Sequence, residues 1–143
     1  MDIDELRRRA DAGNVASQSI LGILYLEGRD TEANYAEALR LLSAAAAKGA
    51  SRAMLNLARM HHEGIGTPAD PMEASRWYEQ AARRGEFLAQ VALARMYAKG
   101  SPMKADPVQA AKWYRAAAAQ EGKVEDGAEL SEAKAYIATQ AKP

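Results

Sequence analysis

The chain has 143 residues, of which 48% are hydrophobic and 27% are charged, a composition typical of one globular domain and not of a disordered or membrane-spanning chain. Basic and acidic residues number 19 each, so net charge gives no reason to expect binding to nucleic acid or to an anionic membrane. The lack of cysteine excludes disulfide bonds, thiol chemistry and a cysteine-ligated zinc site.

The first predicted element is a helix within residues 2–12. Leu6 and Ala10 keep the spacing of the helices that follow, so we predict that residues 1–12 form an N-terminal capping helix. The start of the chain is acidic and lacks the apolar segment of a secretory signal. No apolar run approaches the roughly 18 residues of a membrane span. We therefore expect a cytoplasmic protein without membrane insertion.

From residue 13 the sequence repeats with a period of 36 residues. Gly28, Gly64 and Gly100 end three similar segments at this spacing. Three further sets keep the same step, namely Gly13, Gly49 and Gly85; Ala38, Ala74 and Ala110; and Ala45, Ala81 and Ala117. Such a period indicates a helical repeat protein. The predicted repeats are residues 13–48, 49–84 and 85–122.

Each repeat predicts two antiparallel helices, A and then B. Helix A ends at a glycine, the residue favoured just past a helix C-terminus. Helix B begins at a capping residue such as Asp70, with Pro71 in the first helical position and Glu73 placed to complete a capping box. Small residues at one position of helix A predict close approach of the two helices. These residues are Gly22, Ala58 and Ala94.

After Gly122, a last helix is predicted over residues 128–141, with Leu130 aligned to Leu93. Residues 123–143 would then form a C-terminal capping helix. We expect about eight helices in a single all-α repeat domain spanning residues 1–143.

The repeat pattern resembles the Sel1-like repeat family, relatives of the tetratricopeptide repeats. The resemblance is carried by Leu-Gly-x-x-Tyr-x-x-Gly in repeat one and by Trp77-Tyr78 through Gly85 in repeat two. It implies a right-handed α-solenoid of helix pairs that takes part in protein assembly. Repeat one departs from the pattern, because Leu41-Leu42 replaces Trp-Tyr and its loop lacks the usual glycine.

In tetratricopeptide-like arrays helix A lines a concave groove, so the resemblance places the binding site on helix A positions that do not pack inward. The candidate binding residues are Ser19, Ile23, Leu26, Arg52, Leu55, Asn56, Arg59, His62, Val91, Arg95 and Lys99. Arg59 and Arg95 occupy equivalent positions and are expected to stack as a ladder that favours acidic partner groups. Exposed apolar residues beside arginine are typical of protein interfaces. The convex side built by helix B remains an alternative.

Several short motifs suggest chemistry, but each has a plainer interpretation. His61 and His62 are adjacent and point about 100° apart on a helix, so they do not suit one metal ion. Ser101-x-x-Lys104 matches the β-lactamase nucleophile motif without its partner motifs, as does Ser131-x-x-Lys134. Gly64-Ile65-Gly66 follows a predicted helix, whereas nucleotide-binding loops follow strands.

The sequence therefore predicts a non-catalytic adaptor that binds a protein or peptide, with no cofactor, no metal and no nucleic acid. Two alternatives stay open. One is a dedicated inhibitor or immunity protein for a single bacterial toxin, and the other, less favoured, is a β-lactam-binding or hydrolysing enzyme.

Overall fold

The computed structural model describes residues 2–140, which form eight α-helices and no β-strand within that range. The helices are α1 (Ile3–Asp11), α2 (Val15–Glu27), α3 (Tyr35–Ala47), α4 (Ser51–Glu63), α5 (Pro71–Arg83), α6 (Phe87–Lys99), α7 (Pro107–Ala118) and α8 (Ala128–Gln140). The predicted helix count and all-α class are confirmed. Residues 1 and 141–143 of the two predicted capping segments lie outside the described residues.

The chain divides into two compact units with the boundary inside α5, between Trp77 and Tyr78. Unit 1 holds α1 to α4 and the start of α5, and unit 2 holds the rest of α5 and α6 to α8. Helices α2, α4 and α6 correspond to helix A of the sequence repeats, and α3, α5 and α7 correspond to helix B. Within residues 2–140, no helix is long and apolar enough to cross a membrane.

Each helix A ends at the predicted glycine in the left-handed conformation. The φ angles of Gly28, Gly64 and Gly100 are 68°, 73° and 80°. Repeat one also keeps the loop conformation of its neighbour despite lacking the loop glycine. Asp30, which aligns with Gly66, has a φ of 61°, against 73° for the glycine. Asp tolerates this region better than most residues, so the diverged loop follows a similar path.

Each helix B begins at the predicted cap, but the capping box is only half formed. The Asp70 carboxylate accepts from the Glu73 N–H, as predicted. The Glu73 carboxylate instead pairs with Arg76 at 2.9 Å, and the Asp70 N–H donates to the His61 carbonyl at 2.7 Å. Asn34 and Asp106 donate in the same way to the carbonyls of Tyr25 and Tyr97. A backbone hydrogen bond to helix A thus replaces the reciprocal Glu contact of a capping box.

In unit 1, α2 packs against α1, α3 and α4. A Cβ atom built on Gly22 would lie only 2.7 Å from Cγ of Leu42, so glycine at this position allows α2 and α3 to approach closely. The core is made of fully buried side chains on the helices around it, including Leu6, Leu41, Leu42, Met54, Leu57 and Met60.

In unit 2, α7 packs against both α6 and α8, and α6 also contacts α8. The aromatic residues Tyr78, Trp113 and Tyr114 are buried. Leu130 and Ala133 of α8 complete the core. The helix predicted from residue 128 therefore packs on the last repeat.

Candidate protein-binding surface

The structure divides the predicted binding residues into three classes of exposure. Arg52, Arg59, His62, Arg95 and Lys99 are exposed, whereas Ile23 and Leu26 are half-buried. The remaining four residues are buried, with exposed fractions of 8% for Ser19, 5% for Leu55, 5% for Asn56 and 1% for Val91. The prediction that these four face a groove is wrong, and Leu55 is not part of an exposed apolar stripe.

One outward position of α2 is displaced by one residue from the predicted position, whereas Ile23 keeps its predicted place. Ser17, Gln18 and Ser19 are all buried, while Ile20 is 46% exposed. The physical reason is that α2 packs against three other helices, which bury a wider arc than one inward stripe. We use the name exposed face for the outward residues of each A helix, which are Ala16, Ile20, Ile23 and Glu27 of α2, Arg52, Arg59 and Glu63 of α4, and Leu88, Arg95 and Lys99 of α6. Leu88 of α6, aligned with Ala16, was also missed and is 48% exposed.

In unit 1 the exposed face combines apolar and cationic groups. Ile20 and Ile23 lie on α2, and the neighbouring α4 contributes Arg59. The Arg59 guanidinium donates from Nη1 to Oδ1 of Asn56 at 3.2 Å, and the Asn56 Nδ2 donates to the Arg52 carbonyl at 2.9 Å. No described carboxylate of unit 1 forms an ion pair with Arg59. The Arg59 side chain is exposed, so its charge is accessible to an external anion.

In unit 2 the aligned arginine is already paired. Arg95 donates to both carboxylate oxygens of Glu132 on α8, with Nε at 2.8 Å from Oε2. The Tyr114 hydroxyl donates to the same Oε2 at 2.6 Å. The pKa of Glu132 is lowered chiefly by Arg95, and burial together with the Glu132 contact raises the pKa of Tyr114. The chain itself thus supplies the carboxylate that we predicted a partner would offer to Arg95.

Arg59 and Arg95 belong to different units, and the ladder expected between them stays a prediction. The other residues that suggested metal binding or catalysis do not form a cluster within the described residues. His61 is half-buried, His62 is exposed, and Ser101 is exposed in a loop. No group of three or more His, Asp or Glu side chains within residues 2–140 is placed to hold a metal ion.

The repeated A and B helices define an all-α solenoid protein, and comparison with known proteins identifies its family. Sel1 repeats match residues 15–49, 51–86 and 88–121. The chain belongs to the Sel1 repeat family. Sel1 repeat proteins are generally protein-interaction modules, and their fold is typically a scaffold without enzymatic activity.

Two solved structures share the fold. A Sel1 repeat protein from Oxalobacter formigenes is 37% identical, with a TM-score of 0.80, and the match covers 96% of this chain and 98% of that one. A protective antigen of uropathogenic Escherichia coli with an SLR fold is 28% identical, with a TM-score of 0.78. That match covers 99% of this chain and 34% of the antigen. The chain has no significant match among curated proteins.

Proposed function

We propose that the protein is a non-catalytic interaction module that binds a protein or peptide segment on the exposed face of unit 1. The observation that carries this proposal is that α2, with exposed Ile20 and half-buried Ile23, contacts α4, which carries exposed Arg59. An apolar patch beside arginine is the composition enriched at protein interfaces. The partner chemistry that fits is an apolar side chain followed or preceded by a carboxylate.

The chemistry of the face also favours protein over other ligands. Isoleucine side chains recover free energy only when another apolar surface covers them, at about 25 cal/mol per Å². A single arginine on the neighbouring helix adds direction and charge selection without the multiple phosphate contacts that nucleic acids require. In unit 2, Arg95 is already paired with Glu132, so this arginine is less suited to binding a partner carboxylate.

Affinity capture from the native cell lysate tests the proposal. Wild type is compared with Arg59→Glu and with Arg115→Glu, a matched charge reversal at an exposed position of α7. All three are first checked for equal helicity by circular dichroism. We expect a protein retained by wild type and by Arg115→Glu to be lost with Arg59→Glu.

Two other outcomes have definite meanings. A protein retained equally by all three would place binding elsewhere on the molecule, for example on the convex side, and would contradict the proposed face. A single partner held in equal stoichiometry would favour the dedicated inhibitor over a general adaptor. Because the probe is the whole lysate, the experiment does not depend on knowing the partner in advance.

A further inference from the structure

Arg59 and Arg95 occupy the same position in successive repeats, yet the structure holds their guanidinium groups in different ways. Arg95 lies against a carboxylate from another helix, Glu132 of α8. Arg59 lies against a neutral amide from its own helix, Asn56 of α4. The contact with Glu132 balances the charge of Arg95. The contact with Asn56 holds the Arg59 side chain in one direction but leaves its charge unbalanced.

Asn56 is an unusual residue for its position. The aligned residues are Ile20 in α2 and Ala92 in α6, so a polar group is not required there by the repeat. Asn56 is only 5% exposed, and asparagine is a poor helix former in a helix interior. Burying an amide is unfavourable unless its hydrogen bonds are satisfied.

The hydrogen bonds of Asn56 do not join different parts of the fold. Its Nδ2 donates to the Arg52 carbonyl and its Oδ1 accepts from Arg59, and both partners are on α4. A residue whose described polar contacts all lie within one helix adds nothing to the docking of helices through those contacts. The Asn56 amide oxygen accepts one N–H of the Arg59 guanidinium.

We infer that Asn56 is a positioning residue that orients Arg59 to receive a carboxylate side chain of a partner protein. The guanidinium has five N–H donors, and the contact with Asn56 uses one of them, so a planar pair remains for a carboxylate. Holding the side chain in one orientation before binding reduces the entropy lost on binding. This inference rests on the proposed function and assigns the carboxylate to Arg59 alone.

Nuclear magnetic resonance of the arginine Nε–H groups tests the inference without the natural partner. The probe is the peptide acetyl-Ile-Glu-Ile-amide, and its matched control is acetyl-Ile-Gln-Ile-amide at equal ionic strength. In wild type we expect the Glu peptide, and not the Gln peptide, to shift the Arg59 resonance. The resonances of Arg95, held by Glu132, and of exposed Arg115 should not move.

Two substitutions separate positioning from a merely structural role. Asn56→Ala installs the residue that repeat three has at this position, and we expect it to weaken peptide binding by a factor of about ten with helicity retained. Glu132→Gln removes the carboxylate from Arg95, so the Glu peptide should now shift the Arg95 resonance. This second arm remains informative even if Asn56→Ala fails to fold.

The inference is overturned if Asn56→Ala binds the Glu peptide as wild type does, or if Arg59 and Arg115 respond equally. It is also overturned if Arg95 stays silent in Glu132→Gln. A protein captured from lysate through Arg59, combined with an unchanged response of Asn56→Ala, would support the proposed function and reject the positioning role. If Asn56→Ala weakens peptide binding but no protein is captured from lysate through Arg59, the positioning role is supported and the proposed partner surface is rejected.

Discussion

At the scale of single residues, a hydrogen-bond motif formed in unit 2 is incomplete in unit 1. Gln90 donates from Nε2 to the Ala82 carbonyl, and its Oε1 accepts from Gln120, which also donates to the Gly85 carbonyl. Each of these contacts joins the end of a helix B to the start of a helix A or to the neighbouring helix B. Both Nε2 and Oε1 of the buried Gln90 side chain therefore have a hydrogen-bond partner.

The corresponding amide in unit 1 keeps one buried oxygen without a partner. Gln18, which aligns with Gln90 two repeats later, donates to the Ala10 carbonyl, but its Oε1 accepts no hydrogen bond from the described residues. Lys48 occupies the position of Gln120 at the same spacing of two repeats. Its ammonium group reaches the Gly13 carbonyl at 3.4 Å and does not satisfy Gln18.

Lys48→Gln should therefore complete the motif in unit 1. The new carboxamide can donate to both the Gly13 carbonyl and the unpaired oxygen of Gln18, as Gln120 does in unit 2. One hydrogen bond to a buried, unsatisfied acceptor contributes about 1 kcal/mol, so the free energy of unfolding should rise by about that amount. Urea denaturation at neutral pH measures it.

The matched control is Lys99→Gln, which removes the same charge from an exposed position in the last turn of α6. Both substitutions take a cation away from a helix C-terminus, where it interacts favourably with the helix dipole. Only Lys48→Gln places an amide next to an unsatisfied acceptor. Equal effects of the two substitutions would reject the argument.

The carboxylate of Glu132 makes a prediction about acid stability. It faces Arg95 of α6 and Tyr114 of α7, and the Arg95 hydrogen bonds hold its pKa below the ordinary value. A group with a lowered folded-state pKa stabilises the fold above its unfolded pKa of about 4.3, and this contribution is lost as the pH falls through the lower folded value.

Glu132→Gln should remove that part of the acid dependence. Unfolding free energies of wild type and variant, measured in urea from neutral pH into acid, should differ most at neutral pH and converge in acid. The other carboxylates titrate in both proteins, so only the difference between the two curves reports Glu132. Two parallel curves would show that the Arg95–Glu132 pair contributes nothing to the pH dependence.

At the scale of the helices, close packing depends on the small residues of helix A. Ala58 is fully buried at the position that Gly22 occupies in α2. Ala58→Leu should overpack this site and lower the free energy of unfolding by about 1–3 kcal/mol. Ala36→Leu, at an exposed position of α3, changes the same atoms without a steric conflict and should have little effect. Thermal melts followed by circular dichroism compare the two, and an unshifted Ala58→Leu melt would contradict this packing.

The start of α7 depends on one side chain. The Asp106 carboxylate accepts from the N–H groups of Val108 and Gln109, both at 3.1 Å. Asp106→Ala should cost about 1 kcal/mol in unfolding free energy, while Asp106→Asn should retain most of the stability. Glu125→Ala, which removes the same charge from an exposed loop position, is the control. Equal losses in Asp106→Ala and Asp106→Asn would indicate a charge effect instead of a cap.

The helix caps could be predicted from the sequence, whereas the exposed face of α2 could not. The helix ends depend on local chemistry, such as Gly64 at a C-terminus or Asp106 at an N-terminus, and these were predicted correctly. The outward positions of α2 depend on how many helices surround it, and no local pattern reports that number. Ser19, which was predicted to face outward, is therefore buried, and Ile20 is exposed. The pairing of Arg95 with Glu132 joins residues 37 apart, so charge counting along the chain could not reveal it.

At the scale of the whole molecule, the first and last helices differ from the inner helices at aligned positions. Glu5 and Arg9 of α1 form an ion pair at 3.0 Å, where α3 has buried Leu41 and Ala45. Polar residues at the open faces of terminal helices keep repeat proteins from associating end to end. The corresponding residue of α8 is Ser131, which aligns with Ala94 and is exposed.

Restoring the inner-repeat residues at these positions should therefore promote association. The variant Glu5→Leu/Arg9→Ala/Ser131→Ala would expose a helix B face at one end and a helix A face at the other. Two different complementary faces make a head-to-tail contact, which can extend into open chains. Sedimentation velocity should show a weight-average mass that rises with concentration beyond that of wild type.

Variants altered at one end alone supply the control for this prediction. Glu5→Leu/Arg9→Ala carries one apolar face without its complement, so it should not grow into chains even at high concentration. If the three-residue variant is as helical as wild type and sediments like it, the polar residues of α1 and α8 are not what keeps these faces apart. If the one-ended variant associates as readily as the three-residue variant, non-specific association through exposed leucine explains the result better than repeat complementarity.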